Sequence, residues 1–233
     1  SSAAFFNFAA TEEEQARGDA GYQALVECFT REVAKRRSEP SDDLIGKMVS
    51  AEEEGTTLTE TEVITMCNLL LVAGNVTTTD LIGNGTKALV EYPAEQEKLR
   101  QDPTLLANAV VEMLRFDPPV TVSGRISPRD TEIAGYRIRK GESITALLSA
   151  ANRDPKVYPE PDRFDVARED THHQSFGGGA HLCLGAHLAR AEAQEAIGAL
   201  LARFPRLERA SKPHAYKQIP GFRGLAEYWV RVS

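Results

Sequence analysis

Residues Phe176 to Arg190 read Phe-Gly-Gly-Gly-Ala-His-Leu-Cys-Leu-Gly-Ala-His-Leu-Ala-Arg, a glycine-rich loop that runs into alanines and leucines with Cys183 at the junction. The spacing predicts Cys183 at the first turn of a helix. There its sulfur would lie near unpaired N–H groups and a partial positive charge, which favour the thiolate. Gly177, Gly178, Gly179 and Gly185 leave the backbone bare on both sides, so a flat, wide group can come within van der Waals reach of it. Other readings exist. A lone cysteine in apolar surroundings is ordinarily a small buried hydrophobe. A zinc site would gather His181, Cys183 and His187, but no CxxC pair or regular histidine spacing supplies a fourth ligand. A phosphate cradle is weaker still, because the stretch lacks the Lys-Ser/Thr that closes a P-loop.

Phe176 to Gly185 matches the pattern FGxGxHxCxG at every fixed position and so resembles the haem-ligand signature of the cytochrome P-450 monooxygenases. Two more stretches follow that family's order and spacing. Glu112-Met113-Leu114-Arg115 resembles its ExxR, and Pro161-Asp162-Arg163-Phe164 resembles its PxRF. The resemblance implies a mainly α fold with minor β, the C-terminal part of the cytochrome P-450 fold. Its members are much longer, so a truncated chain is expected, lacking the N-terminal part of a single domain. The blocks would be 1–58 (two helices), 59–92 (long central helix), 93–116 (two helices), 120–149 (sheet), 150–175 (meander), 176–204 (haem loop and helix) and 205–233 (C-terminal strands).

Composition narrows the partners. The 233 residues are 42% hydrophobic and 26% charged, ordinary for a soluble globular protein. A net charge of −7 argues against nucleic acid, which needs a clustered basic surface. Cys28, Cys67 and Cys183 are too few for a disulfide framework and suit a reducing, cytoplasmic setting. The longest apolar runs, 69–74 and 144–151, are too short to span a bilayer, so no membrane is expected. No signal peptide is read, and the apolar, uncapped opening Ser-Ser-Ala-Ala-Phe-Phe-Asn-Phe-Ala-Ala looks like the cut end of a longer chain.

Along the chain, Thr11 with Glu14 predicts a capped helix reaching Lys35, and a second helix spans 42–51 before an acidic loop at 52–55. Thr59 with Glu62 opens a helix without proline to Tyr92, roughly 50 Å if unbroken. Ala73-Gly74-Asn75-Val76-Thr77-Thr78-Thr79 has weak helix formers in its middle, which predicts a widening or kink. Prolines open helices at Pro93 and Pro103. Residues 120–125 should run extended, 131–139 should pair with 143–148 as a hairpin about Lys140-Gly141-Glu142, and 152–168 should form an ordered meander burying Tyr158 and Phe164. A helix from Ala186 to Phe204 and C-terminal strands complete the chain.

The resemblance assigns roles. Haem b, iron protoporphyrin IX, would be held by the Cys183 thiolate as metal ligand, with Ala73, Phe176, Gly177 and Gly185 around it and Arg125 and His181 on its propionates. Thr77 takes the position of the family's oxygen-handling threonine, and Val76 stands where its acid normally precedes that threonine. A valine cannot relay a proton, so Asn75 and Asp80, the latter one turn on, join Thr77 as catalytic candidates. Leu69, Val72, Val76, Val120, Val122 and Phe222 would wall a pocket for a small apolar substrate. Glu112 and Arg115, i and i+3 on one helix face, would form a buried cluster with Arg163. The implied reaction inserts one oxygen atom of O2 using electrons from a ferredoxin- or flavodoxin-type donor, docking on Arg168, His172, His173, His187 and Arg190. A peroxide-driven or non-oxygenating haem-thiolate enzyme, or a non-catalytic haem-binding fragment, are the alternatives.

Overall fold

Thr11 Oγ1 accepts the Glu14 N–H at 3.3 Å and Glu14 Oε2 accepts the Thr11 N–H at 2.9 Å, a reciprocal box that fixes the start of helix α1, Glu12–Ser38. The structure, a computed structural model, describes residues 11–53, 58–169 and 172–233. The apolar opening at 1–10 and part of the acidic loop after the second helix therefore lie outside the described residues. The chain divides between Val76 and Thr77 into two compact units.

In the first unit α1 packs on α2, Leu44–Glu53. Asp43 begins α2 by accepting the Gly46 N–H at 2.8 Å, and Arg36 reaches its other oxygen at 2.7 Å. That guanidinium, with the Gly46 N–H, holds the Asp43 carboxyl down at about 2. Val33, Val49, Val63 and Cys67 form a small core with Phe29, Ile45 and Met48 against it.

Helix α3, Glu60–Glu91, opens on a second box in which Thr59 N donates to Glu62 Oε2 at 2.7 Å. Every residue of the 73–79 stretch is α-helical, so no π or 3₁₀ turn widens it. The side chains of Val72, Val76, Thr78 and Asp80 are buried along it. Such packing offsets the low helix propensity of the glycine and the β-branched residues there.

In the second unit α4, Pro93–Gln101, and a 3₁₀ turn, Pro103–Leu105, lead to α5, Leu106–Phe116. The last long helix, α7, Ala186–Arg203, packs against α5. Between them Leu89, Leu99, Val110, Met113, Leu114, Phe164 and Ile197 make the principal core. Tyr92, Phe116 and Phe164 meet there with centroids 5.2–5.7 Å apart.

The strands pair differently from the sequence expectation. β1, Val122–Ile126, pairs antiparallel with β4, Ser143–Leu147. The hairpin lies wholly inside the segment expected to be one strand, between β2, Thr131–Ile133, and β3, Tyr136–Ile138. Ala134 and Gly135 both have positive φ, 52° and 83°, the two-residue turn whose twist matches its strands. Gly141, with φ of 87°, turns the chain back to the end of β1, where its N–H donates to Ser127 O. A short helix α6, Leu148–Ala151, follows β4, and the tail supplies β5 (Leu207–Arg209) with β8 (Val230–Val232) and β6 (Ala215–Tyr216) with β7 (Leu225–Glu227). The chain is thus mainly helical with small two-stranded sheets. No described helix is long and apolar enough to cross a membrane.

Candidate functional site

Glu112 and Arg115 on α5 are both fully buried. Arg115 Nε meets Glu112 Oε2 at 2.7 Å and Nη2 meets Oε1 at 2.9 Å. The remaining guanidinium hydrogens go to the carbonyls of Asn152, Pro161 and Arg163, at 2.9, 2.9 and 3.1 Å. Each donor in this apolar place therefore has an acceptor.

The second cation of the cluster is not the one expected. Arg163 offers only its carbonyl. Its side chain is half exposed and pairs with Glu160 and Asp165. Arg168 turns inward instead, its Nε at 3.2 Å from Glu112 Oε2 and its Nη groups on the carbonyls of Pro159, Glu160 and Arg163. Glu160 has φ of 49°, a local feature of the meander that leaves no periodic trace in sequence.

From this cluster a polar chain runs to the cysteine loop. Asn152 is fully buried, and its Oδ1 accepts the Gln174 N–H at 2.7 Å while Nδ2 donates to Ser175 Oγ at 2.9 Å. Ser175 Oγ donates in turn to Leu114 O on α5 at 2.6 Å. The next residue, Phe176, accepts the Cys183 N–H through its carbonyl at 2.9 Å and closes the loop. Sequence reasoning missed Asn152 and Ser175. An Asn directly after an apolar run, standing before Arg-Asp-Pro, was the available signal.

Cys183 lies outside the helix, two residues ahead of Gly185, the N-cap of α7. Its carbonyl accepts the Ala186 N–H at 3.3 Å, so the first-turn position expected for it belongs to Ala186. Its side chain is exposed, as are Leu182, Leu184 and Leu188 around it. Gly177 and Gly179 hold φ of 66° and 65°, conformations that favour glycine. A Cβ built on Gly178, Gly179 or Gly185 would find no atom within 4 Å. The loop is therefore a bare backbone surface with one thiol and a fringe of leucines, which fits a flat apolar group bearing a metal. His181 ends a 3₁₀ turn, Gly179–His181, and is exposed. No three His, Cys, Asp or Glu side chains among the described residues converge as a metal cluster.

Arg125 on β1 is exposed, makes no ion pair among the described residues, and donates to Ser123 Oγ and Gly124 O at 2.8 and 2.7 Å. Val120 bridges to Phe222, and Gly221 O accepts the Thr121 N–H at 2.9 Å, so Val120, Val122 and Phe222 gather at one place. Thr77 is half-buried. Asp80 departs from expectation: its Oδ1 is 2.5 Å from Lys217 Nζ, so it is held in an ion pair toward the C-terminal strands. In the first unit Val72 and Val76 are buried, Ala73 is half-buried, and Leu69 and Asn75 are exposed.

The expected basic rim shrinks. Arg168 is consumed by Glu112. His173 is largely buried, its Nδ1 accepts the Ser175 N–H at 3.1 Å, and burial, with Arg190 and His172 nearby, pushes its pKa down to about 4. Arg190 lies over the Phe176 ring, 4.9 Å from its centroid. His172 and His187 remain exposed.

Comparison with known proteins agrees with this geometry. The model of the family described as Cytochrome P450 matches residues 10–219. The chain is 42% identical over 199 residues to the "Biotin biosynthesis cytochrome P450" of Bacillus subtilis (strain 168), covering 85% of this chain and 50% of that protein. It is 46% identical over 191 residues to "Cytochrome P450 107B1" of Saccharopolyspora erythraea, covering 82% and 47%. Among solved structures, that of P450BioI in complex with hexadec-9Z-enoic acid ligated acyl carrier protein superposes with a TM-score of 0.92 at 37% identity, over 100% of this chain and 60% of that one. The chain spans about half the length of the curated relatives it matches. With a family match across most of its length, and a buried Glu112–Arg115 pair behind an exposed cysteine loop, the chain belongs to the cytochrome P450 family.

Proposed function

We propose that Cys183 holds haem b and that the protein works as a monooxygenase on a small apolar substrate, with electrons from a ferredoxin- or flavodoxin-type donor. The observation that carries this is the exposed Cys183 on a loop of bare backbone, tied through Phe176, Ser175 and Asn152 to the buried Glu112–Arg115 pair. When bound, a thiolate-ligated haem supplies the electron density that favours O–O cleavage. The chain's own residues do the rest. Gly178, Gly179 and Gly185 leave room for a planar face, and Phe176 and Gly177 would belong to the same loop that receives it. Arg125 and His181 are exposed side chains with N–H donors suited to carboxylates. Val120, Val122 and Phe222 exclude water and select apolar molecules.

We read Thr77 as the hydroxyl that orders a water at the reacting face, with Asn75 and Ala73 beside it in sequence. Asp80 is committed to Lys217, so it is removed from the proton route. Leu69, Val72 and Val76 stay as proposed wall residues. Among the 233 residues the blocks 1–58 to 205–233 are proposed as parts of one domain. The three cysteines are free, which supports a cytoplasmic setting. His172 and His187 are exposed and are proposed to face an acidic donor.

Haemin titration tests the reading: one haem per chain is expected, with no tight binding by Cys183→Ala, and equal binding by both would overturn it. Val76→Glu is expected to raise the oxygenation rate up to about 100-fold, the lower end of what a positioned proton donor contributes, and to lower peroxide release per electron. Unchanged peroxide release would refute a proton-supply defect at Val76. The same valine favours a second reading, an enzyme driven by peroxide. Product formed from peroxide with no reductase present would select it.

A further inference from the structure

Asp80 is 2% exposed, yet its carboxylate faces the end of the chain. Oδ1 receives Lys217 Nζ at 2.5 Å, and Oδ2 has no donor among the described residues. The Lys217 N–H donates to Gly224 O at 2.8 Å. A Cβ built on Gly224 would fall 2.1 Å from Asp80 Cγ and 2.2 Å from each carboxylate oxygen. The carboxylate thus lies against backbone that only glycine leaves open.

One turn further along α3, Asn84 is 1% exposed and donates through Nδ2 to Arg223 O at 2.8 Å and to Asp117 O at 3.1 Å. Arg223 N donates to Pro119 O at 2.8 Å, and its guanidinium pairs with Asp117. Thr121 donates through both N and Oγ1 to Gly221 O, at 2.9 and 3.1 Å. Gly221 has φ of 79°, and a Cβ there would sit 3.0 Å from Val122 Cγ2. Phe222, between these anchors, bridges to Val120. A buried ion pair adds little net stability, because desolvation offsets its attraction; what it supplies is one geometry.

We infer that Asp80, Lys217 and Asn84 are positioning residues that clamp the turn from Gly221 to Gly224 onto α3 and so fix Phe222 as a wall of the pocket, setting which apolar molecules it admits. This rests on the proposed reading of Phe222 as a pocket residue. Asp80→Asn combined with Lys217→Met removes both charges together and keeps the volume. The haem-loaded protein is titrated spectrally with imidazole, too small to meet the wall, and with 4-phenylimidazole. The double variant is expected to bind 4-phenylimidazole about fivefold more weakly, the scale of one lost aromatic contact, with imidazole unchanged within about twofold.

Amide hydrogen exchange in 119–122 and 219–224 needs no haem and is expected to quicken in the same variant. It should quicken also in Gly224→Ala, whose methyl would overlap the Asp80 carboxylate. Unchanged exchange, or an equal loss of both ligands, would overturn the clamp. If the parent protein takes up no haem, the reading of Cys183 fails, and the exchange data alone decide the clamp.

Discussion

Glu112→Ala is expected to destabilise the second unit by about 3–5 kcal/mol and to abolish haem uptake. The change leaves the fully buried Arg115 guanidinium and the inward-turned Arg168 without their carboxylate, and an uncompensated buried charge costs that much. Arg168→Ala should be damaging too, because Glu112 and three meander carbonyls lose a donor set. Arg163→Ala should cost no more than about 1 kcal/mol, since its half-exposed side chain pairs with exposed Glu160 and with an Asp165 that keeps Lys98, and its carbonyl survives the change. Unfolding is read from Trp229, the single tryptophan. Equal losses at Arg163 and Arg168 would contradict the assignment of Arg168 to the buried cluster.

Acid is expected to loosen the packing behind the cysteine loop well above the pH at which carboxylates titrate. His173 has a folded-state pKa of about 4, below its ordinary 6.5, because it is buried first and then repelled by Arg190 and His172. Below pH 6.5 the unfolded chain takes up a proton that the folded chain refuses. Stability therefore falls from pH 6.5 down to about 4, by roughly 3 kcal/mol in total. Phe176, whose ring meets His173 at a tilt with centroids 5.3 Å apart, carries the effect toward the loop. His173→Phe should flatten this part of the profile, measured as the urea midpoint at pH 7 and at pH 4.5. An unaltered slope would show that His173 is not the group responsible.

The parts legible in sequence are those written locally. Both capping boxes, the prolines that open α4 and the 3₁₀ turn, the start of α7 and the burial of Tyr158 and Phe164 follow from neighbouring residues. The cysteine motif could be read because its chemistry fits in ten consecutive positions. What could not be read depends on long-range closure. The sequence pointed to Arg163 as the partner of Glu112, and only the folded meander shows that the Arg168 side chain takes that place. The 143–147 strand could pair with either neighbour, and the positive φ values at Ala134 and Gly135 gave the hairpin to 131–138. Asp80 and Lys217 are 137 positions apart. No pattern on α3 alone reveals that the acid one turn past Val76 is already engaged.

The most direct measurement is the absorption spectrum of the haem-reconstituted protein, reduced with dithionite under carbon monoxide, for the parent chain and for Cys183→Ala. Ligation by Cys183 predicts the red-shifted Soret band of a thiolate-bound iron in the parent and its loss in the variant. The same band in both proteins, or a band of the histidine-ligated type in the parent, would contradict it.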